Sequence, residues 1–272
     1  MNPNLQIKSP LRGPGVYPIV QRGQGLKHLS FTVLEMGGAL REHTVESGDE
    51  ELAVDFYPGS VRVEVDAAGG RLVREASRRS VGEAGEMLYV PAGARMKIKL
   101  LSDAARVGIA GAAGKPGGKP VFISREQVVS KRVGKKSWVR TVHTHIADNV
   151  EASHLIVGET VNEPGNWSSS PPHKHDRHAP PSEVPMEEVY FFQVEPRTGF
   201  GFMRVYTDPA DPAPFDCAYT VEDGDTVLIP RGYHPVVAFP GYVLNYTWAL
   251  AGEGRTYGAW SDDPRHAWIK DT

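Results

Sequence analysis

The chain has 272 residues, of which 40% are hydrophobic and 23% charged, and its formal net charge is -3. This composition is typical of a folded globular protein, and the small net charge provides no field that would recruit nucleic acid or an anionic membrane. A single cysteine, Cys217, excludes a disulfide framework within the chain. Because the sequence also has no apolar run of membrane-spanning length and no hydrophobic signal core, we expect a cytoplasmic protein.

Short alternating segments bounded by glycine and proline predict strands along the whole chain. Alternation with a period of two is typical of half-buried strands, and the 29 glycines and 22 prolines supply the turns. The clearest predicted strands are, in chain order, LAVDFYPG, SVRVEVDAAGG, EMLYVPAGARMKIKL, EVYFFQV, FGFMRVYT and DTVLIPRGYHPVVAF. Only SREQVVSK and DDPRHAWI suggest helix, and both are short. The predicted fold class is therefore all-β, a sandwich or barrel.

A skeleton of glycine, five residues, proline, one residue and glycine occurs twice in the chain. Proline fixes φ and glycine allows positive φ, so each copy predicts a strand between two turns. The copies are Gly85, Pro91 and Gly93, then Gly224, Pro230 and Gly232. Two copies predict two similar barrels. The flexible composition of AAGKPGGKP, residues 112–120, places the joint there, with a first barrel at residues 1–115 and a second at 116–272.

Three histidines and a carboxylate in the second half have the composition of a metal site. His173 and His175 are separated by one residue and so project from one face of an extended strand, and His234 follows the second skeleton. Glu187 or Glu188 supplies the carboxylate. Imidazole and carboxylate donors that converge on one point suit zinc, manganese or iron. We predict one divalent cation per chain.

The first half lacks these donors. Glu51 is taken as the counterpart of Glu188, but no HxH pair precedes it. Ten residues after the first glycine of the skeleton, the first half has Arg95 where the second half has His234. We therefore predict that only the second barrel carries metal ligands.

Another HxH pair, His143 and His145, has no glycine, proline and histidine sequel at a comparable distance. We interpret these two histidines as structural. Lys174 lies between the two predicted ligands of the later pair and should point to the opposite face by strand alternation. It is therefore not expected to be catalytic.

The ligand pattern resembles the metal site of the cupin superfamily, with two departures in spacing. Thirteen positions separate His175 from Glu188, which indicates a loop insertion in DRHAPPSEVPM, and only one residue separates Gly232 from His234. The position where such sites often have an asparagine is Ala238.

Five longer strings resemble the 5-deoxy-glucuronate isomerase family of myo-inositol catabolism: PGNWSSSPPHKHD, EEVYFF, GFGFMRVYT, VEDGDTVLIPRGYHPV and SDDPRHAWI. The resemblance is strong over residues 120–272 and weaker before them. It implies a bicupin fold and an aldose–ketose isomerase that converts 5-deoxy-D-glucuronate to 5-dehydro-2-deoxy-D-gluconate. A related uronate ketol-isomerase has HxH, then MEVYF, then histidine, and this similarity selects Glu188 as the carboxylate ligand, with Glu187 as the alternative.

Tyr190 and Arg204 are the predicted catalytic residues. Tyr190 has the parity of Glu188 and should line the same side of the sheet, where it either transfers a proton or only packs. An arginine directed into a barrel interior requires an anion, and a substrate carboxylate would bind Arg204 through two parallel hydrogen bonds. The alternative, that Arg204 faces solvent or pairs with a local acid, is equally open.

The expected isomerisation moves hydrogen from C2 to C1 of the sugar. A divalent cation on the two oxygens would stabilise an ene-diolate, with the proton carried by a carboxylate, a metal-bound hydroxide or Tyr190. A hydride shift is the competing route. The same residues would also fit another uronate ketol-isomerase, a metal-dependent cupin dioxygenase or a non-catalytic sugar-binding cupin. The expected partner is a sugar acid, and both a monomer and a homodimer are compatible with the sequence.

Overall fold

A computed structural model describes residues 3–272 and consists almost entirely of antiparallel strands. The strands of the first half are β1 Gln6–Ile7, β2 Gly15–Val20, β3 Leu29–Gly37, β4 Glu42–Glu46, β5 Glu50–Phe56, β6 Gly59–Ala67, β7 Gly70–Arg78, β8 Met87–Val90, β9 Arg95–Leu100, β10 Ala104–Ala113 and β11 Val121–Ile123. Those of the second half are β12 Val129–Val133, β13 Arg140–Ile146, β14 Ile156–Asn162, β15 Trp167–Ser168, β16 His173–Lys174, β17 Met186–Glu195, β18 Phe200–Tyr206, β19 Asp216–Glu222, β20 Thr226–Ile229, β21 Val236–Ala238, β22 Val243–Gly252 and β23 Ser261–Asp262. The predicted all-β fold class is confirmed.

Both sequence segments that suggested helix form only short 3₁₀ turns. One turn spans Arg125–Gln127 and another Ala267–Asp271, and a third spans Lys136–Trp138. Within residues 3–272 no helix is long and apolar enough to cross a membrane.

Each half of the chain is a sandwich of a large sheet and a small one. In the first half the sheet β11-β8-β5-β10-β3-β2 packs against β4-β9-β6-β7. In the second half β1-β20-β17-β22-β14-β13-β12 packs against β15-β21-β18-β19, and β16 and β23 form a separate two-stranded sheet. The alternating strands bury one face in each sandwich, which excludes water from an apolar core.

The two large sheets also pack against each other. Their outward faces share a third core, in which Phe31 and Tyr57 of the first half lie with ring centroids 5.3 and 5.5 Å from Phe191 of the second. The central strands of both large sheets are therefore buried on both faces. This packing explains their nearly continuous apolar sequences.

The sequence repeat corresponds to equivalent strand pairs, with a register that differs from the predicted one. Leu52 on β5 lies opposite Val90, and Glu188 on β17 lies opposite Ile229. Val90 and Ile229 each precede the proline of the skeleton, so Leu52 is the structural counterpart of Glu188. The predicted pairing of Glu51 with Glu188 is wrong by one residue, and a one-residue shift moves a side chain to the opposite face of the sheet.

The strand pairing does not follow the predicted joint at residues 112–120. Strand β11, which lies beyond that joint, pairs with β8 of the first half. Strand β1, at the start of the chain, pairs with β20 of the second half. Each large sheet is thus completed by a strand from outside the predicted bounds 1–115 and 116–272.

Two glutamates from equivalent positions connect the halves. Glu51 accepts backbone hydrogen bonds from residues 153–155 of the second half, at 2.6 to 2.8 Å, and one from the Tyr89 hydroxyl. Glu187 accepts from the backbone N–H groups of Lys27 and His28 of the first half, at 2.8 Å each. Both carboxylates satisfy backbone donors that no strand pairs.

A buried ion pair also crosses the boundary between the halves. Arg78 of β7 donates to Glu159 of β14 at 2.6 Å, and both side chains are fully buried. Asn245 donates to the same carboxylate at 3.1 Å. Burial acts to raise the pKa of Glu159, but the charge and hydrogen bond of Arg78 together with the nearby His145 outweigh burial and lower the pKa below its ordinary value.

We expect Arg78→Met to destabilise the protein by about 3–5 kcal/mol, because it leaves the Glu159 carboxylate buried without its cation. Urea unfolding measures this cost. The matched control is Arg132→Met, which removes an exposed pair with Glu163 and should cost less than about 1 kcal/mol. Equal costs for the two variants would show that the buried pair does not hold the halves together.

Candidate metal centre

Three histidines from two separate segments of the chain converge inside the second sandwich. His173 lies on β16, where it pairs with Asp262 of β23, and His175 follows one residue after that strand. His234 follows the positive-φ turn at Gly232. The ligand nitrogens of the three histidines all lie within 4.8 Å of one another. One cation could therefore contact all three.

Backbone carbonyls orient two of these imidazoles toward the common point. The Nδ1 of His175 lies 2.8 Å from the carbonyl of Met186, and the Nδ1 of His234 lies 2.9 Å from that of Gly232. Because a carbonyl only accepts, each Nδ1 carries a proton, which leaves Nε2 as the nitrogen that a cation would bind. The Nε2 of His234 is buried and has no hydrogen-bond partner, which fits a nitrogen that donates to a metal.

The protonation preferences of two of the three histidines, His173 and His234, fit a metal site. Burial lowers the pKa of His173 well below the ordinary histidine value, and the neighbouring His234 and His175 lower it further. Burial likewise lowers the pKa of His234. For His175 burial acts in the same direction, but the hydrogen bond and charge of Glu188 outweigh it and raise the pKa. Neutral imidazoles are the form that binds metal.

Glu188 and Glu187 point to opposite faces of β17. The Glu188 carboxylate is buried, 3.2 Å from His175 Nε2 and 3.4 Å from His234 Nε2. It therefore contacts two of the three histidines. Glu187 instead accepts the backbone hydrogen bonds from Lys27 and His28. Of the two carboxylates that the sequence left open, only Glu188 lies at the cluster.

The loop inserted between His175 and Glu188 is held by acidic side chains. Glu183 accepts from the backbone N–H of Asp176 at 2.9 Å and of Arg177 at 2.8 Å. Asp176 in turn accepts from the backbone N–H of Gly232 at 2.9 Å, which ties the His175 segment to the His234 turn. Lys174 contacts Asp176 and Glu183 on the side away from the cluster.

The cluster opens into a cavity of about 290 Å³, close to the lower end of the volumes of small-molecule sites. Its lining includes His173, His175, Glu188, Tyr190, Arg140 and Trp260. The C-terminal segment closes one side, since Trp260 lies with its ring centroid 5.2 Å from that of His173. A small polar molecule that enters this cavity would contact the histidine cluster.

Of the two predicted catalytic residues, the structure brings only Tyr190 to the cavity. Its ring centroid lies 5.8 Å from that of His234 and 4.4 Å from that of Tyr246. Arg204 lies on the exposed face of β18, where it donates to Asp216 at 2.6 and 2.7 Å. The expectation that Arg204 points into the barrel is wrong, because Met203 and Val205 occupy the inward positions of this strand.

The other HxH pair faces the boundary between the halves. His145 is fully buried and its Nε2 lies 3.1 Å from the Gly85 carbonyl, while the Nδ1 of His143 lies 2.8 Å from the Ser130 hydroxyl. Both histidines have hydrogen-bond partners away from the cavity. Their environment supports the structural interpretation.

Arg140, Trp260 and Asp262 line the cavity but were not selected from the sequence. The two C-terminal residues reach it because β23 pairs with β16, about 90 positions earlier in the chain. The string SDDPRHAWI, which begins one residue after Trp260, was the available sequence indication of this segment. The case of Arg140 is different, since β13 has the sequence RTVHTHI, in which apolar and polar residues do not alternate.

The sequence matches known proteins over nearly its whole length. A family model described as KduI/IolB matches residues 8–269. The chain belongs to the KduI/IolB family.

Two relatives of this KduI/IolB chain and one more distant fold illustrate the match. A 5-deoxy-glucuronate isomerase from Geobacillus thermodenitrificans is 32% identical, over 98% of this chain and 96% of the relative. An IolB-like protein from Salmonella typhimurium has a TM-score of 0.89 at 27% identity, over 98% of this chain and 100% of that one. An oxalate decarboxylase from Lactobacillus farciminis, with a TM-score of 0.69 at 12% identity over 100% of this chain and 91% of that one, shows similarity of fold alone. The predicted bicupin fold and family resemblance are confirmed.

For this KduI/IolB protein we expect Glu188→Gln and Glu187→Gln to have opposite effects. Loss of the Glu188 charge should weaken divalent-cation binding by about 100-fold or more, since it removes a carboxylate from the cluster. Glu187→Gln should leave binding unchanged and reduce stability by about 1–2 kcal/mol, because one backbone N–H loses its acceptor. Competition with a chromophoric chelator and urea unfolding measure the two effects. A larger loss of cation affinity in Glu187→Gln would overturn the assignment of Glu188.

Proposed function

We propose that this chain is a metal-dependent 5-deoxy-glucuronate isomerase, an aldose–ketose isomerase that forms 5-dehydro-2-deoxy-D-gluconate. The main support is the convergence of His173, His175, His234 and Glu188 in a cavity of sugar size, in a chain that is 32% identical over 98% of its length to a protein of that name. We further infer a cytoplasmic enzyme whose substrate is a small sugar acid.

The three histidines and Glu188 would hold one divalent cation of zinc, manganese or iron. When bound, such a cation supplies Lewis acidity toward the oxygens on C1 and C2 of the sugar. The carbonyls of Met186 and Gly232 keep the imidazole lone pairs directed into the cavity. The aromatic side chains of the cavity wall would limit the access of water to the reacting carbons, which would strengthen polar contacts there.

Tyr190 is suited to donate a proton rather than to remove one. Burial raises its pKa well above the ordinary tyrosine value, and the charge of Glu188 raises it further. The phenol therefore stays protonated near neutral pH and can donate to an oxygen or to C1 of the sugar. Its position on β17, two residues after Glu188, directs it to the same cavity.

The cavity lining contains two carboxylates in the described part of the chain, Glu188 and Asp262. Glu188 is engaged with two histidines, and Asp262 pairs with Lys270. We therefore assign the role of proton donor to Tyr190, whereas both lining carboxylates are engaged and neither is assigned to remove the C2 proton. A hydride shift from C2 to C1 stays the competing route.

We expect the purified protein to contain roughly one divalent cation per chain and to isomerise 5-deoxy-glucuronate, with turnover lost on chelation and restored by the cation. His173→Ala should lose both the cation and turnover. The matched control, His178→Ala in an exposed loop, should keep both. Elemental analysis and chromatography of the product measure these results.

Three outcomes would contradict this function. Oxygen consumption with the sugar would favour a cupin dioxygenase, and turnover of other uronates alone would favour a different ketol-isomerase. Tight sugar binding by the metal-loaded protein without turnover would favour a non-catalytic sugar-binding cupin. Light scattering on the same sample distinguishes a monomer from a homodimer.

We expect Tyr190→Phe to reduce kcat by about 100-fold or more with little change in KM or cation content, because general-acid catalysis is removed while the cavity keeps its shape. Steady-state kinetics test this. The control is Tyr219→Phe on strand β19 of the small sheet. The hydroxyl of Tyr219 donates to the Pro3 carbonyl, away from the cavity. In deuterated water the product should carry deuterium at C1, and its absence would contradict proton transfer and favour the hydride shift.

A further inference from the structure

Arg140 is a cavity-lining arginine on β13, the strand next to β14 in the large sheet of the second half. Val142, two residues along the same strand, packs against the core of the second sandwich. Because alternate residues of a strand share a face, Arg140 is directed to the same interior side. This places a cation in the cavity that holds the histidine cluster.

No carboxylate of the described residues pairs with Arg140. Its Nη1 donates to the carbonyls of Trp138 and Ser170, both at 3.4 Å. Two weak neutral acceptors leave most of the five guanidinium donors without strong partners. The guanidinium lies 5.7 Å from the centroid of the Trp138 ring, a contact that positions it without neutralising it.

The other cations near the site are already paired with acids. Lys270, which also lines the cavity, pairs with Asp262, and Lys174 pairs with Asp176 and Glu183. Among the described lining residues, Arg140 is the arginine or lysine that lacks a carboxylate.

An unpaired, partly buried arginine is costly unless an anion meets it. Burial lowers the pKa of Arg140, but a guanidinium starts from so high a pKa that it stays charged near neutral pH. Its planar fork matches a carboxylate through two parallel hydrogen bonds. The Arg140 guanidinium in the cavity therefore favours a ligand with one carboxylate.

We propose that Arg140 binds the carboxylate of the sugar-acid substrate and so selects uronates over neutral aldoses. This assignment rests on the proposed function for the identity of the sugar, and it extends that function to substrate selection. The acidic end of the sugar then lies at Arg140 and the aldehyde end at the histidine cluster. Arg140 takes the role that the sequence had suggested for Arg204.

The test compares 5-deoxy-D-glucuronate with 5-deoxy-D-glucose, which has a hydroxymethyl group in place of the carboxylate. Arg140→Gln should reduce kcat/KM for the acid by about 100-fold or more, because a desolvated charge pair is lost. For the neutral sugar kcat/KM should stay nearly unchanged. Arg140→Lys should recover part of the loss, since it restores a point charge without the fork, and it serves as the second variant if Arg140→Gln folds poorly.

The matched control is Arg132→Gln on the neighbouring strand β12, where the arginine is exposed and paired with Glu163. This variant should discriminate between the two sugars as the unmodified protein does. Equal losses for acid and neutral sugar in both Arg140 variants would show a purely structural role and overturn the proposal.

Titration calorimetry with 5-deoxy-D-glucuronate separates this proposal from the proposed function. If the unmodified protein binds the acid without turnover, the isomerase assignment fails, and weaker binding by Arg140→Gln still supports the carboxylate site. Equal affinity in the two proteins, or no binding of the acid by the unmodified protein, would overturn the role of Arg140.

Discussion

The organisation of this protein depends on strand β17, which is buried on both faces. Glu188 and Tyr190 face the histidine cluster, whereas Val189 and Phe191 face the first half of the chain. Because successive side chains alternate, one strand supplies both the site and the contact between the sandwiches. The position of the carboxylate is therefore fixed by apolar packing on the opposite face. A slip of one residue would exchange the two sets of side chains.

This arrangement gives the first half a role although it carries none of the predicted ligands. Its large sheet packs against the face of the ligand-bearing sheet that is turned away from the cluster. Its arginines also form ion pairs with acids of the second half, Arg78 with Glu159 and Arg106 with Asp223. The charged form of a carboxylate buried at this boundary is stabilised only while the arginine of the other half pairs with it. Strand β1 of the first half adds a further connection, since it pairs with the edge strand β20 of the second.

Features encoded by local spacing could be predicted from the sequence. The HxH pair, the repeated skeleton and the strand period led to the cluster and to the all-β class, because each depends on residues close together in the chain. Features set by long-range pairing could not. The pairings of β1 and β11 join residues distant in the sequence, and Arg140 lies on a strand, RTVHTHI, whose apolar and polar residues do not alternate and so do not mark the inward side. For Arg204 the sequence does carry the signal, because the apolar neighbours Met203 and Val205 mark the inward positions of the strand.

The difference between the two sandwiches follows from what fills their interiors. In the first half Leu52 stands at the position of Glu188, and it packs in a core of aliphatic side chains with Val54 and Val90. Such a core gains stability from every apolar group that it removes from water. The second sandwich instead buries three imidazoles and a carboxylate beside a cavity. Removal of these polar groups from water is unfavourable, and the cavity lacks the van der Waals contacts of a filled core. Since the two large sheets share a common core, stability gained in the first half can offset the cost of keeping a polar, partly hollow interior in the second.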